Sequence, residues 1–259
     1  MKTPSSIPTT SRKGFTLIET VIAMGIIAIM ITAFMAAFGP AVQGIRKSLS
    51  VKEANRLAST LEIELSTLRP GDQATDYTTK FAKAFEWIEE SGGTTKDNLI
   101  LIYQYRGDPA SVRADGTLEP QTDRDKQVPG VDYVLQSVCR RVGDTETEDE
   151  LQPGVVEGRV FLVRMTQLVY NSGELQVAGA GGAPGGMGEI IDPTEPRSSV
   201  TNHEDYPEAV IAFQAQFYTM KSSLFPYILN GFQLDDDNGD GHPDDAGKPV
   251  FSRNMAIRR

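Results

Sequence analysis

The stretch that decides the fold runs from Phe15 to Phe38 and reads FTLIETVIAMGIIAIMITAFMAAF. Its only charged residue is Glu19, and from Val21 to Phe38 the only polar residue is Thr32. As a helix, that inner part is about 27 Å long at about 1.5 Å per residue, close to the roughly 30 Å hydrocarbon thickness of a bilayer. The stretch therefore predicts a helix that spans a membrane.

Three ordinary interpretations of this run each meet a difficulty at Glu19 or at the length. A secretory signal has a shorter apolar region, and cleavage after Ala36-Ala37 would leave Glu19 without a purpose. A plain anchor would avoid a carboxylate inside its apolar edge, since a central charge costs roughly 2.5 to 3.5 kcal/mol on insertion scales. A buried core helix is the third interpretation. Glu19 therefore predicts a partner of opposite charge.

The residues RKGFTLIE, which end at Glu19, resemble the class III signal of type IV pilins and of the pseudopilins of type II secretion. The resemblance implies that a prepilin peptidase recognises a leader ending in Arg12, Lys13 and Gly14 and cuts after Gly14. It also implies methylation of the new amine of Phe15. Glu19 would then pair with the terminal ammonium of a neighbouring subunit during assembly, which makes two costly charges tolerable together.

The resemblance also implies partners and a location. The partners are prepilin peptidase, other pilin or pseudopilin subunits and an inner-membrane assembly platform. The chain would be a single-pass protein of the bacterial inner membrane, with its head in the periplasm or in a surface filament. Charge counting does not decide this orientation, because basic residues lie on both sides of the run, namely Lys2, Arg12, Lys13, Arg46, Lys47, Lys52 and Arg56.

The sequence predicts three segments: a leader at 1–14, a helix at 15–68 and a globular head at 69–259. Beyond Pro40, apolar residues recur at spacings of three and four, namely Ala54, Leu57, Ala58, Leu61, Leu65 and Leu68. We expect a kink or loosening at Gly39-Pro40. The second half of the helix should lay its leucine face on its own head; a free coiled coil is the alternative.

The predicted fold class is α+β, with the long helix packed on a mainly antiparallel sheet as in a pilin. A second helix is expected at Thr78 to Glu90. Alternating apolar residues predict strands at Asn98 to Tyr105, Asp132 to Val138, Arg159 to Tyr170, Glu174 to Val177, Ala209 to Met220 and Pro249 to Arg258. Polar insertions predict surface loops at Arg106 to Pro129, Asp144 to Glu150 and the glycine-rich Gly179 to Ser199.

The acidic stretch from Asp235 to Asp245 reads DDDNGDGHPDD, which would repel itself in a folded loop without a cation. In an EF-hand-like frame, the oxygen ligands for calcium are supplied by Asp236, Asn238, Asp240 and Asp244. His242 would contribute a backbone carbonyl at most, and Asp245 could substitute for a missing ligand. The run resembles the calcium repeats of thrombospondin type 3 modules. Calcium here would staple a loop near the last strand of the head, as it does in some major pseudopilins of type II secretion. Gly247 stands where the closing carboxylate of an EF-hand belongs, so a solvated acidic turn is the alternative.

Composition argues against other functions. The net charge of −10 disfavours nucleic-acid binding. Two histidines and the single Cys139, expected to be a core thiol, leave little material for a metalloenzyme or a nucleophilic triad. We predict a non-enzymatic structural subunit, either a pseudopilin or a minor pilin. The alternative is a bitopic, membrane-anchored, calcium-dependent binding domain that does not polymerise.

Overall fold

The computed structural model describes residue 14 and residues 16–69, 77–195, 198–234, 242–243 and 245–259. Its backbone contacts divide the chain into two units, Met1–Ser48 and Leu49–Arg259. One long helix, α1, covers Leu17–Ser66. The helix was predicted from Phe15 to Leu68, and it continues through Pro40 without ending there.

A seven-stranded antiparallel sheet forms the second unit, which confirms the predicted α+β class. Its strands are β1 (Ile100–Val112), β2 (Leu118–Pro120), β3 (Val134–Arg141), β4 (Val156–Asn171), β5 (Glu174–Val177), β6 (Val210–Thr219) and β7 (Phe251–Arg258). The order is β2-β1-β4-β6-β7, with β3 also pairing with β1 and β5 with β4. Two further α-helices are α2 (Lys80–Glu90) and α3 (Thr147–Glu150). Short 3-10 turns cover Lys96–Asn98 and Ala180–Gly182, and a π-helical turn covers Tyr227–Gly231.

The helix-facing side of the sheet carries the larger core. The leucines predicted to lie on the head, Leu57, Leu61 and Leu65, are fully buried there with strand residues such as Phe161 and Phe217. This confirms that the second half of α1 packs on its own sheet unit rather than forming a free coiled coil. Cys139 belongs to the same core, and burial raises the pKa of its thiol well above the ordinary value.

The opposite side of the sheet is covered by loops. Leu101, Tyr103 and Tyr105 point to that side, as their alternation predicted, while Ile100 and Ile102 point to the helices. The segment with the π-helical turn covers this second core through the buried Ile228, Phe232 and Leu234. The sheet is therefore packed on both faces.

Helix α2, predicted from Thr78 to Glu90, begins at Lys80 after a threonine cap. The side chain of Thr79 accepts a hydrogen bond from the Ala82 N–H at 3.1 Å, which satisfies one of the free donors of the first turn. Phe81, Phe85 and Ile88 then face the core, as their spacing predicted. At the other end, the hydroxyl of Ser91 accepts from the Met165 N–H at 2.9 Å and fixes α2 to β4.

Three predicted surface loops need correction. Within Arg106 to Pro129, β1 continues to Val112 and pairs with β2, where Val112 lies opposite Leu118. The glycine-rich segment from Gly179 to Ser199 is anchored by the buried Ile190 and Ile191. The acidic stretch from Asp144 to Glu150 contains α3. Glu150 is completely buried, and its charge is compensated by Arg113 and Arg140.

Candidate functional site

The start of α1 has the geometry of a helix cap. The Glu19 N–H donates to the Thr16 hydroxyl at 3.3 Å and to the Thr16 carbonyl at 3.1 Å. Thr16-Leu17-Ile18-Glu19 matches the Thr-x-x-Glu capping box, in which the glutamate reaches back to the N–H of the cap residue. Glu19 is exposed in the first turn, where the helix dipole favours a negative charge. Thr16 was not predicted as a cap, although the Thr-x-x-Glu pattern is present in the sequence.

Beyond Glu19 the helix exposes apolar side chains around its whole circumference. Ile26, Ile27, Ile29, Met30 and Ile31 include neighbours on opposite sides of the helix, and each is more than half exposed. The most apolar 18-residue window of α1 has a mean hydropathy of 2.5, and none of it is buried. Exposed apolar surface of this kind is unfavourable in water at about 25 cal/mol per Å². By length and composition, α1 is suited to cross a membrane, and it is the one such helix among the residues described.

The residues of the predicted processing signal are only partly visible. Gly14 is exposed, and a side chain added there would meet none of the described residues within 4 Å. An open backbone of this kind is what a protease needs to reach a peptide bond. Arg12, Lys13 and Phe15 lie outside the described residues.

The structure places Asp245, the last residue of the acidic stretch, beside Gln233, which lies two residues before the stretch begins. The Asp245 carboxylate accepts from the Gln233 N–H at 2.8 Å and from Lys221 Nζ at 2.5 Å. These hydrogen bonds, with that of Lys221 the strongest, hold the pKa of Asp245 below its usual value. His242 Nδ1 lies 3.0 Å from the Tyr218 hydroxyl.

The remaining predicted calcium ligands, Asp236, Asn238, Asp240 and Asp244, fall outside the described part of the chain. Within that part, no three histidine, cysteine or acidic side chains are grouped as metal ligands would be. The described members, His242 and Asp245, are instead hydrogen-bonded to Tyr218, Lys221 and Gln233.

A buried charge cluster lies under the loop-covered face of the sheet. Glu150 accepts from Arg140 Nη2 at 2.8 Å, from Arg113 Nη1 at 2.5 Å and from the Tyr103 hydroxyl at 2.7 Å. Burial lowers the pKa of Arg140, but the hydrogen bonds and charge of Glu150 outweigh it, so the pKa is raised. Burial, followed by the Glu150 charge, raises the pKa of Tyr103 well above its ordinary value. With several charge-assisted hydrogen bonds and no exposure to solvent, Glu150 acts as a structural anchor.

A second buried ion pair joins α1 to α2. Lys83 Nζ donates to Glu64 Oε1 at 2.7 Å and lies 4.9 Å from the centre of the Trp87 ring. Arg69 donates from Nε to the other carboxylate oxygen of Glu64 at 2.8 Å. Lys83 is fully buried and Glu64 nearly so. The pair therefore fixes α2 against the second half of α1 by a contact that hydrophobic periodicity does not reveal.

Comparison with known families bears on the amino-terminal site. A model described as the prokaryotic N-terminal methylation motif matches residues 9–35, which include Gly14, Glu19 and much of the apolar run. Comparisons with curated proteins and with solved structures found no match. The motif implies processing by a prepilin peptidase and assembly with other pilin subunits. Followed by the long apolar helix α1, the motif fits a type IV pilin-like protein.

Proposed function

We propose that the chain is a structural subunit, a pseudopilin or minor pilin, of a type II secretion pseudopilus or a type IV pilus-like filament. The observation that carries the proposal is the methylation motif at 9–35 running into a helix whose apolar residues are exposed on every side. A single-pass anchor needs that helix only in lipid. A filament subunit needs it twice, first in the membrane and then against the same helix of its neighbours.

Glu19 supplies the chemistry of assembly in this proposal. Cleavage after Gly14 makes Glu19 the fifth residue of the mature chain and Phe15 the first. A carboxylate surrounded by apolar helices is costly alone and is compensated by a cation close to it. The methylated ammonium of Phe15 on the next subunit is that cation, so the pair fixes the axial register of the helices. The role is structural, and we propose no catalytic activity.

Two variants of Glu19 separate this role from the side-chain capping role that the Thr-x-x-Glu pattern would give it. Glu19→Ala removes both the carboxylate and the capping side chain, whereas Glu19→Gln keeps a capping group and removes the charge. We expect both variants to insert in the membrane and both to be absent from filaments. The measurement is the amount of each variant in sheared or purified filaments against the amount in membranes.

The same pair tests the bitopic alternative. A chain that is merely anchored would show equal membrane levels and no filament pool for wild type and variants alike. If Glu19→Gln enters filaments as well as wild type while Glu19→Ala does not, Glu19 acts only as a cap. Thr16→Ala, which removes the hydroxyl cap but keeps the charge, is the matched control and should still assemble.

We propose further that the acidic stretch binds calcium and staples the loop before β7. The support is the density of aspartates between Gln233 and Asp245, two positions that a hydrogen bond already holds together. Because this hydrogen bond already closes the loop, calcium binding would cost less conformational entropy of the chain. An affinity in the range of about 10⁻⁴ to 10⁻³ M is typical of extracytoplasmic sites.

Thermal unfolding of the full chain in detergent tests calcium binding. We expect the melting temperature to rise at about millimolar calcium and to fall with chelator, as binding to the folded state requires. The double variant Asp236→Asn, Asp240→Asn should lose that response. Glu204→Gln with Glu208→Gln removes the same charge from exposed positions and should keep it. If calcium does not change the melting temperature of the wild type, the calcium proposal is wrong.

A further inference from the structure

A groove runs between α1 and the start of β4. Its α1 side is formed by Leu49, Lys52, Glu53 and Arg56, which follow one another at helical spacing on one face. Gly158 and Arg159 form the other side, and the volume is about 550 Å³. A second groove of about 540 Å³ shares Gly158 and Arg159 and continues to Leu224.

The two arginines of this groove bond to neutral side chains. Arg159 Nη1 donates to the Ser50 hydroxyl at 2.5 Å, and Arg56 donates to the side-chain carbonyl of Gln104. Among the described residues, none forms an ion pair with Lys52, Arg56 or Arg159. The groove is therefore a positive region on a chain whose net charge is −10.

One acid lines the groove, and its carboxylate faces the backbone. Glu53 Oε1 accepts from the Arg159 N–H at 3.2 Å, and a side chain at Gly158 would meet that oxygen at 2.4 Å. Gly158 also has a φ of +75°, which favours glycine. Gly158 thus lets the β4 backbone approach α1 closely enough for the Arg159 N–H to bond to the Glu53 carboxylate.

The groove follows the apolar run along the chain. From Arg46 to Arg56 the sequence RKSLSVKEANR has four basic residues and one acidic residue. In sequence, Lys52 is seven residues beyond Ile45, the last exposed apolar residue before this basic segment. Leu49 and Leu224 add exposed apolar surface to the two grooves, at 55% and 37%. Basic and apolar side chains together are typical of a surface that contacts anionic lipid.

We propose that the groove of Lys52, Arg56 and Arg159 binds the anionic headgroups of phospholipids at the membrane surface where α1 emerges. The occupant is the lipid surface, because the groove lies within a few residues of the segment suited to cross the bilayer. The proposal rests on α1 crossing a membrane and needs no filament. In the membrane-inserted state, the bound headgroups would hold the start of β4 and the residues after β6 against the bilayer.

Hydrogen exchange of the full chain in nanodiscs tests the proposal. One set of discs contains neutral phosphatidylcholine, and the other contains added anionic phosphatidylglycerol. We expect exchange in segments 156–160 and 219–224 to slow severalfold in the anionic discs, and the difference to disappear at high salt. Insertion is measured in the same samples, so a failure here leaves the filament proposal standing.

Matched variants locate the effect. Lys52→Gln, Arg56→Gln and Arg159→Gln together should abolish the lipid-dependent protection while keeping polar partners for Ser50 and Gln104. Arg124→Gln, Lys126→Gln and Lys248→Gln remove the same charge from exposed loop positions and should keep the protection. Equal exchange of the wild type in both discs overturns the proposal, even if the triple variant fails to fold. Equal protection by inorganic phosphate in neutral discs, at matched ionic strength, also overturns it in favour of a free phosphate site.

Discussion

We expect Glu150→Ala to lower the free energy of unfolding of the sheet unit by about 3 to 5 kcal/mol, the range for breaking a buried ion pair. The substitution leaves the guanidinium groups of Arg140 and Arg113 without this carboxylate and removes the acceptor of the buried Tyr103 hydroxyl. Asp115 and Glu119 remain paired with the arginines and limit the loss. Denaturant unfolding followed by circular dichroism measures the effect.

Two further variants separate the contributions of the Glu150 charge and of the Tyr103 hydrogen bond to the free energy of unfolding. Glu150→Gln keeps an acceptor for Tyr103 but removes the charge, so it should be nearly as damaging as Glu150→Ala. Tyr103→Phe removes one hydrogen bond to the carboxylate and should cost about 1.5 to 3 kcal/mol. If Glu150→Ala unfolds within about 1 kcal/mol of the wild type, the cluster is worth no more than a surface pair and its anchoring role is wrong.

The second large effect is expected at Glu64. Glu64→Ala removes the carboxylate that accepts from Lys83 of α2 at 2.7 Å and from Arg69, just after α1, at 2.8 Å. Losing one partner of a buried pair is expected to cost about 3 to 5 kcal/mol. The same unfolding measurement checks this, and exchange of the α2 amides should rise with it.

Lys83→Met is the matched control for Glu64→Ala. Methionine fills most of the volume of the lysine stem beside Trp87, and Glu64 keeps its pair with Arg69. We therefore expect a clearly smaller loss for Lys83→Met than for Glu64→Ala. The opposite order would mean that the lysine charge, rather than the glutamate it bonds, holds the two helices together.

The parts of the fold that follow hydrophobic periodicity could be predicted from the sequence. Ile211, Phe213, Ala215 and Phe217 alternate with partly exposed glutamines, and all four are buried in β6. The leucines of α1 likewise showed which face of the helix meets the sheet. In both cases the burial of a residue depends on neighbours close to it in sequence.

The buried charges could not be predicted in that way. Glu150 lies in a run that reads DTETEDE, which local composition assigns to a solvated loop. Its burial depends on Arg140, Arg113 and Tyr103, which approach from three different strands or turns. The groove at Arg159 could not be predicted for the same reason, because Lys52 and Arg159 are far apart in the sequence. At the amino-terminal site, by contrast, the pattern from Gly14 to Glu19 is local and could be recognised directly.

In this proposal the leader is removed after Gly14, and the mature chain that begins at Phe15 enters the filament. Mass spectrometry of the mature protein, purified from a host that has the matching prepilin peptidase, tests it most directly. We expect an amino-terminal peptide that begins with methylated Phe15 and lacks residues 1–14. A mature protein that retains the leader through Gly14, or that begins elsewhere, would contradict it.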